Sequence, residues 1–156
     1  ELKQWVFNLK PRFEGARPIL LVALTYLIVR AGLYLKGASN PSQFDGETTL
    51  FQATLPGMAE EFIFRGGILV ALNAFIADRP WRLAGVEFGW AAVITSVLFG
   101  LVHGLHFDGA YHLGFSPFGL VRTAFDGFLF ALLAERTKSV LPSTIFHNLL
   151  NLIGNH

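Results

Sequence analysis

The apolar residues of this chain fall into five long blocks, at about residues 18–35, 48 or 56 to 76, 88–103, 118–134 and 140–153. The first reads PILLVALTYLIVRAGLYL and the third FGWAAVITSVLFGLVH. None alternates with a period of two, and all are longer than an ordinary strand, so each predicts a helix. Between them lie runs rich in Pro, Gly, Ser and Asp, such as KGASNPSQFDGE and HFDGAYHLGFSP, which read as loops. A helix that crosses a bilayer needs ~20 mostly apolar residues. All five blocks are candidates, the fifth being short. No internal repeat and no low-complexity tract interrupts the pattern.

Composition supports a membrane setting over a very apolar soluble domain. The 156 residues are 53% hydrophobic and 15% charged, with a mean hydropathy of +0.49, whereas an ordinary globular domain is about a quarter charged. Sixteen glycines suit closely packed membrane helices. The expected fold is therefore all-α, a polytopic transmembrane helical bundle of about five spans. Residues 1–17 form an amphipathic or juxtamembrane segment, and residues 18–156 form one domain. The expected location is that of an integral multi-pass membrane protein, in the plasma membrane if the source is bacterial. The chain starts at Glu1 without a visible signal peptide, so it reads as a piece of something longer.

Charge and cysteine content narrow the functions. With no cysteine, thiolate nucleophiles, disulfides and cysteine metal sites are excluded. A net charge of +1 and the lack of a basic aromatic patch argue against a nucleic-acid partner. Lys3, Lys10, Arg12, Arg17, Arg79, Arg82, Arg136 and Lys138 lie on one side of a five-span topology, against Lys36 on the other. This bias puts the N-terminus in the cytoplasm. It places the polar groups of the spans in the middle to outer half of the membrane, although His147 fits that depth less well.

Those polar groups are unusual. PGMAEEFIFRGGIL sets Glu60, Glu61 and Arg65 in an apolar run. Glu61 and Arg65 are four apart, share a helix face and can pair. Glu60 is rotated by about 100° from Glu61 and has no local partner. Ionisable groups inside a span are candidates for function; the competing reading is a structural polar cluster that clamps helices. His103 ends the third block, and His147 lies in the fifth with Asn151 one turn on, in HNLLN. Carboxylate and imidazole together can take a proton from water, and imidazole and carboxamide can donate to a developing oxyanion. No serine is paired with an evident base, so water is the natural nucleophile. His106, His112 and His156 lie in loops or at the end and receive no role. Glu60, His103 and His147 also make a two-His, one-carboxylate set able to hold a divalent metal such as zinc, but no H-E-x-x-H spacing supports it.

Three motifs occur in order, each on its own predicted helix: E-E-x-x-x-R at Glu60, Glu61 and Arg65, F-x-x-x-H at Phe99 and His103, and H-x-x-x-N at His147 and Asn151. With the flanks EEFIFRGGIL, ITSVLFGLVH and LPSTIFHNLLN, the stretch from Thr48 to Asn151 resembles the CAAX-protease and bacteriocin-processing family of intramembrane endopeptidases, also called the abortive-infection family. The resemblance implies a helical bundle with a water-accessible cavity. It implies Glu60 as general base assisted by His103, and His147 and Asn151 as oxyanion donors. Glu61 and Arg65, with Phe99, would support the site. It implies a peptide or protein substrate, of prenylated CAAX type or bacteriocin type. A metal-free mechanism is favoured over a metallo-type one. Two further readings stay open beside it, a non-catalytic membrane immunity or scaffold protein and a small transporter with Glu60 as proton relay.

Overall fold

The computed structural model describes residues 8, 10–37, 45–76, 80–83, 86–107 and 112–154. Helices occupy all five apolar blocks: α1 (Arg17–Gly37), α2 (Gly46–Glu61) continuing through a π-helical stretch (Phe62–Leu69) into α3 (Val70–Phe75), α4 (Trp90–Gly104), α5 (Pro117–Thr137) and α6 (Leu141–Gly154). The protein is mostly helical, as expected. Two helices, over Arg17–Lys36 and Pro117–Thr137, are both long and apolar enough to cross a membrane, while Trp90–Gly104 is apolar but shorter. α1 exposes Leu21, Leu24, Ile28, Leu33 and Leu35, a surface suited to lipid.

Caps explain the helix boundaries. The Asp45 carboxylate accepts the Thr48 N–H at 2.7 Å, so α2 begins at Gly46 and not at Pro56. That backbone bond holds the Asp45 carboxyl below its usual range. Ser116 accepts from Gly119 N–H at 3.0 Å, with Pro117 at the first helical position, where a missing N–H does no harm. α5 ends at Lys138, whose backbone is left-handed at φ 53°. The turn beyond it is tied down by Ser139 Oγ donating to the Asn8 carbonyl at 2.6 Å and Arg12 N–H donating to the Thr137 carbonyl at 2.8 Å. The described part of the N-terminal segment thus docks on the α5–α6 corner, with Ala16 in the core. Residues 1–7 and 9, including Lys3, lie outside the described residues.

Two connections read as loops carry short antiparallel hairpins. β1 (Trp81–Leu83) pairs with β2 (Val86–Phe88), Trp81 opposite Phe88. β3 (Leu105–Phe107) pairs with β4 (Leu113–Phe115), Leu105 opposite Phe115. Three-residue strands are too short to show a period of two, which is why the sequence pattern missed them. Arg79, Asp108 and His156 lie outside the described residues.

The core is built where α4, α5 and α6 meet, around Phe99, Phe130, Leu133 and Phe146. α4 and α5 approach closely because small residues line their seam. A Cβ at Gly100 would stand 2.6 Å from the Leu120 carbonyl oxygen and 2.7 Å from the Ala124 Cβ. Gly100→Ala is therefore expected to push α5 away from α4 and to destabilise the fold by roughly 1–3 kcal/mol. Gly32→Ala, where a Cβ meets open space, is expected to leave stability unchanged or slightly raised. Thermal unfolding of the two detergent-solubilised variants measures the contrast.

Candidate active site

Glu61 and Arg65 face each other as the sequence pattern requires. Arg65 Nη1 donates to Glu61 Oε1 at 2.9 Å, and both side chains are fully buried. A lone charge at this depth would be prohibitive, and a pair is stabilised as its remaining donors and acceptors are engaged; here most are, while Glu61 Oε2 and Arg65 Nε make no hydrogen bond among the described residues. Arg65 Nη2 donates to the Gly127 carbonyl on α5 at 2.7 Å. Its guanidinium lies 4.6 Å from the centroid of Phe99 and 5.0 Å from that of Phe130, inside an aromatic box. Gly127 permits this approach, since a Cβ there would lie 3.1 Å from Arg65 Nη2. Glu61 Oε1 also accepts from His147 Nδ1 at 3.0 Å. The pair therefore ties the helix of the first motif to α5 and α6.

Glu60, one residue earlier, points elsewhere. Its Oε2 lies 3.3 Å from His103 Nε2 and 3.9 Å from His147 Nε2. The F-x-x-x-H spacing has a direct geometric meaning. Phe99 is one helical turn before His103, and its carbonyl oxygen accepts from His103 Nδ1 at 2.8 Å. A carbonyl cannot donate, so Nδ1 carries the proton and Nε2 is turned to Glu60. The Phe99 ring lies against the His103 ring, with centroids 4.3 Å apart. His147 is held in the same way. Its Nδ1 is engaged by Glu61, and its ring stacks on Phe130 at 4.6 Å and 14°.

Glu60, His103, His147 and Asn151 line one cleft with Phe99, so the four proposed chemical residues and the aromatic support come together as the motifs predict. The cleft encloses about 100 Å³, several times what one water needs. Among the described residues no group of three or more His, Cys, Asp or Glu side chains is arranged to hold a metal. His106 lies in β3, with its ring over Gly114 and outside the cleft lining.

Two features were not anticipated. Arg30, Arg122 and Asp126 line the cleft as well. Asp126 and Arg30 carry the same signal as Glu60, a charge inside an apolar block. Asn148, adjacent to His147, binds the backbone of α2 on both sides of Pro56. Its Oδ1 accepts from Gly57 N–H at 3.1 Å and its Nδ2 donates to the Thr54 carbonyl at 3.2 Å. Proline removes a helix hydrogen bond, and Asn148 binds the loosened turn from α6. Gly57 lets it do so, because a Cβ there would fall 2.1 Å from Asn148 Oδ1.

The cleft thus sets a carboxylate and two imidazoles between apolar helices of a mostly helical protein. The family model described as type II CAAX prenyl endopeptidase, Rce1-like, matches residues 47–153, more than half of the chain and all three motifs, and the chain belongs to this family. No curated protein and no solved structure gives a significant match. The family supports a peptidase that acts in or at a membrane on a peptide or protein.

Because Arg65 is fully buried against Glu61, Arg65→Met is expected to leave an uncompensated carboxylate and to cost about 3–5 kcal/mol. Chemical unfolding in detergent checks this, and a loss under 1 kcal/mol would deny the pair its structural role.

Proposed function

We propose that this protein is an intramembrane endopeptidase of about five spans in which Glu60 and His103 activate a water. The carrying observation is the 3.3 Å contact between Glu60 Oε2 and His103 Nε2 in a cleft shared with His147 and Asn151. The water oxygen attacks the scissile carbonyl carbon, its proton passes to the Glu60–His103 pair, and the carbonyl electrons move onto oxygen. Nε2–H of a protonated His147 and the carboxamide of Asn151 donate to that oxyanion. Collapse re-forms the carbonyl and breaks the C–N bond, and the proton held by the pair goes to the leaving amine. Glu61, Arg65 and Phe99 hold these groups in register.

A metal-free route is the reading proposed, since no H-E-x-x-H spacing brings two imidazoles to one helix face. The proposed substrate is a prenylated CAAX-type peptide, with a bacteriocin-type peptide as the bacterial counterpart. The positive charges of the loops orient the N-terminus to the cytoplasm.

Cleavage of a prenylated CAAX-type reporter peptide by the purified protein tests the reading. Glu60→Gln and His103→Ala are each expected to slow it by roughly 10²–10⁴-fold while melting like the parent. Near-normal cleavage by Glu60→Gln would remove the assignment and leave a non-catalytic scaffold or immunity protein. Asn151→Ala is expected to lower kcat by about 10²–10³-fold with little change in KM; an effect on KM alone would make Asn151 a binding residue. Activity is expected to survive exhaustive chelation, and its loss with recovery on adding zinc would give Glu60, His103 and His147 a ligand role instead.

A further inference from the structure

The proposed base sits on a helix with little lateral support. Apart from the π-helical stretch that continues it, α2 packs extensively on α6 alone among the described residues. Two neighbouring stripes of α2 have different duties. Pro56 and Glu60, one turn apart, line the cleft. Gly57 and Glu61, the next stripe round, are buried, and each meets a residue of α6. Asn148 Oδ1 accepts from Gly57 N–H at 3.1 Å, and His147 Nδ1 lies 3.0 Å from Glu61 Oε1. Asn148 Nδ2 also donates to the Thr54 carbonyl at 3.2 Å. One carboxamide thus grips α2 on both sides of Pro56, where the helix lacks an N–H.

Asn148 itself is outside the cleft lining. Its reach is through leverage. A glutamate carboxylate stands roughly 6 Å from the axis of its helix, so a turn of ~10° about that axis moves it by about 1 Å. Glu60 Oε2 lies 3.3 Å from His103 Nε2, and a misplacement of about 1 Å at a reacting group can cost ~10²-fold in rate. An apolar side chain at 148 would fill the same space. Two hydrogen bonds to two different residues of α2 do more, because together they fix both its rotation and its depth. Gly57 is matched to this contact. A Cβ there would fall 2.1 Å from Asn148 Oδ1 and 2.8 Å from its Cγ. Glycine within a helix costs stability relative to alanine; here it admits the carboxamide.

We infer that Asn148 is a positioning residue for the proposed peptidase reaction: through Gly57 and Thr54 it sets the rotation and depth of α2 and so aims the Glu60 carboxylate at His103. This rests on the peptidase reading and extends it to a residue outside the cleft.

The test uses the full chain in phosphatidylcholine nanodiscs. Asn148→Leu keeps the size of the side chain and loses both bonds. Gly57→Ala adds a methyl that displaces the carboxamide while favouring the helix. Both variants and their combination are compared with the parent. Cleavage of the prenylated CAAX-type reporter gives kcat and KM, and hydrogen exchange of the α2 amides reads the clamp without reference to activity. Each single variant is expected to lower kcat about 10–100-fold with KM within about twofold. Exchange of the amide at position 57 is expected to quicken about 2–10-fold. Gly57→Ala is expected to melt no lower than the parent, and it covers the case in which Asn148→Leu does not fold. The combined variant is expected to be no slower than the poorer single one, since both remove the same clamp. A lower melting temperature with kcat unchanged would make Asn148 merely structural and overturn the role. Losses that multiply in the combined variant, or exchange that stays as in the parent, would overturn it as well. Cleavage by the parent with equal cleavage by the variants removes the positioning role and leaves the peptidase. A parent that leaves the reporter intact while exchange shows the clamp present removes the peptidase reading, and the positioning role falls with it.

Discussion

The buried ion pair of Glu61 and Arg65 is the contact on which the site depends. Two charges with no exposure at all cannot be held by their mutual attraction alone, because each has lost its hydration. Their remaining valences dictate where the neighbouring helices sit. The second guanidinium nitrogen needs an acceptor and finds the Gly127 carbonyl, which fixes α5. Glu61 finds a second donor in His147, which fixes α6. The faces of the guanidinium are covered by Phe99 and Phe130, which fixes α4 relative to both. An apolar pair of the same volume would fill the space, yet it would leave His147 without its anchor. The ions thus supply orientation, and Glu60, on the adjacent residue and rotated out of this network, receives a defined position without joining it.

The backbone around Glu60 departs from regular α-helix on both sides. Upstream, Pro56 removes one hydrogen bond of α2, and in the same turn Asn148 accepts from Gly57 N–H and donates to the Thr54 carbonyl. Downstream, the helix widens to π geometry from Phe62 to Leu69, an irregularity frequent at functional sites. Gly66 and Gly67 lie within the widened stretch. Glu60 and Glu61 therefore ride on a short regular segment whose two ends are each tied to neighbouring helices. His147 and Asn148 are adjacent on α6, one holding Glu61 and the other the Pro56 turn, so a shift of α6 would move both the carboxylate helix and the imidazole that faces it.

Much of this was legible in the sequence because ionisable groups are few within apolar blocks and each demands an explanation. Glu60, Glu61, Arg65, His103 and His147 are found that way, and the spacing of four in all three motifs has a helical meaning that the structure bears out for Glu61 with Arg65 and for Phe99 with His103. Arg30 is legible by the same signal, whereas Arg122 lies near the start of its block, where a charged side chain reads as reaching for the interface. What the sequence hides about Asp126 is its hydrogen-bond donor, Tyr26, a hundred residues away. Asn148 could not be read, since its partners are backbone groups on another helix. The π-helical stretch has no signature beyond its two glycines, and the hairpins are too short to announce themselves.

The two imidazoles share one design and differ in a single partner. Each has Nδ1 engaged by an acceptor and Nε2 turned to the same Glu60 oxygen. With Nδ1–H fixed, the Nε2 of a neutral imidazole presents a lone pair, and an ionised Glu60 presents lone pairs to it in turn. The 3.3 Å approach of His103 is attractive only if one proton lies between them, on either partner. In the proposed mechanism Glu60 and His103 would act as one proton-carrying unit, taking the proton of a water and releasing it to an amine without the ring turning. His147 stands farther off, at 3.9 Å, where no such sharing is required, and its anchor is a carboxylate instead of a carbonyl. Donation from its Nε2 to an oxyanion needs the imidazolium form, with the other N–H lying against Glu61. Glu61 Oε1 accepts from both Arg65 and His147, so the oxygen that ties the helices together also sets the orientation of the His147 ring in the cleft.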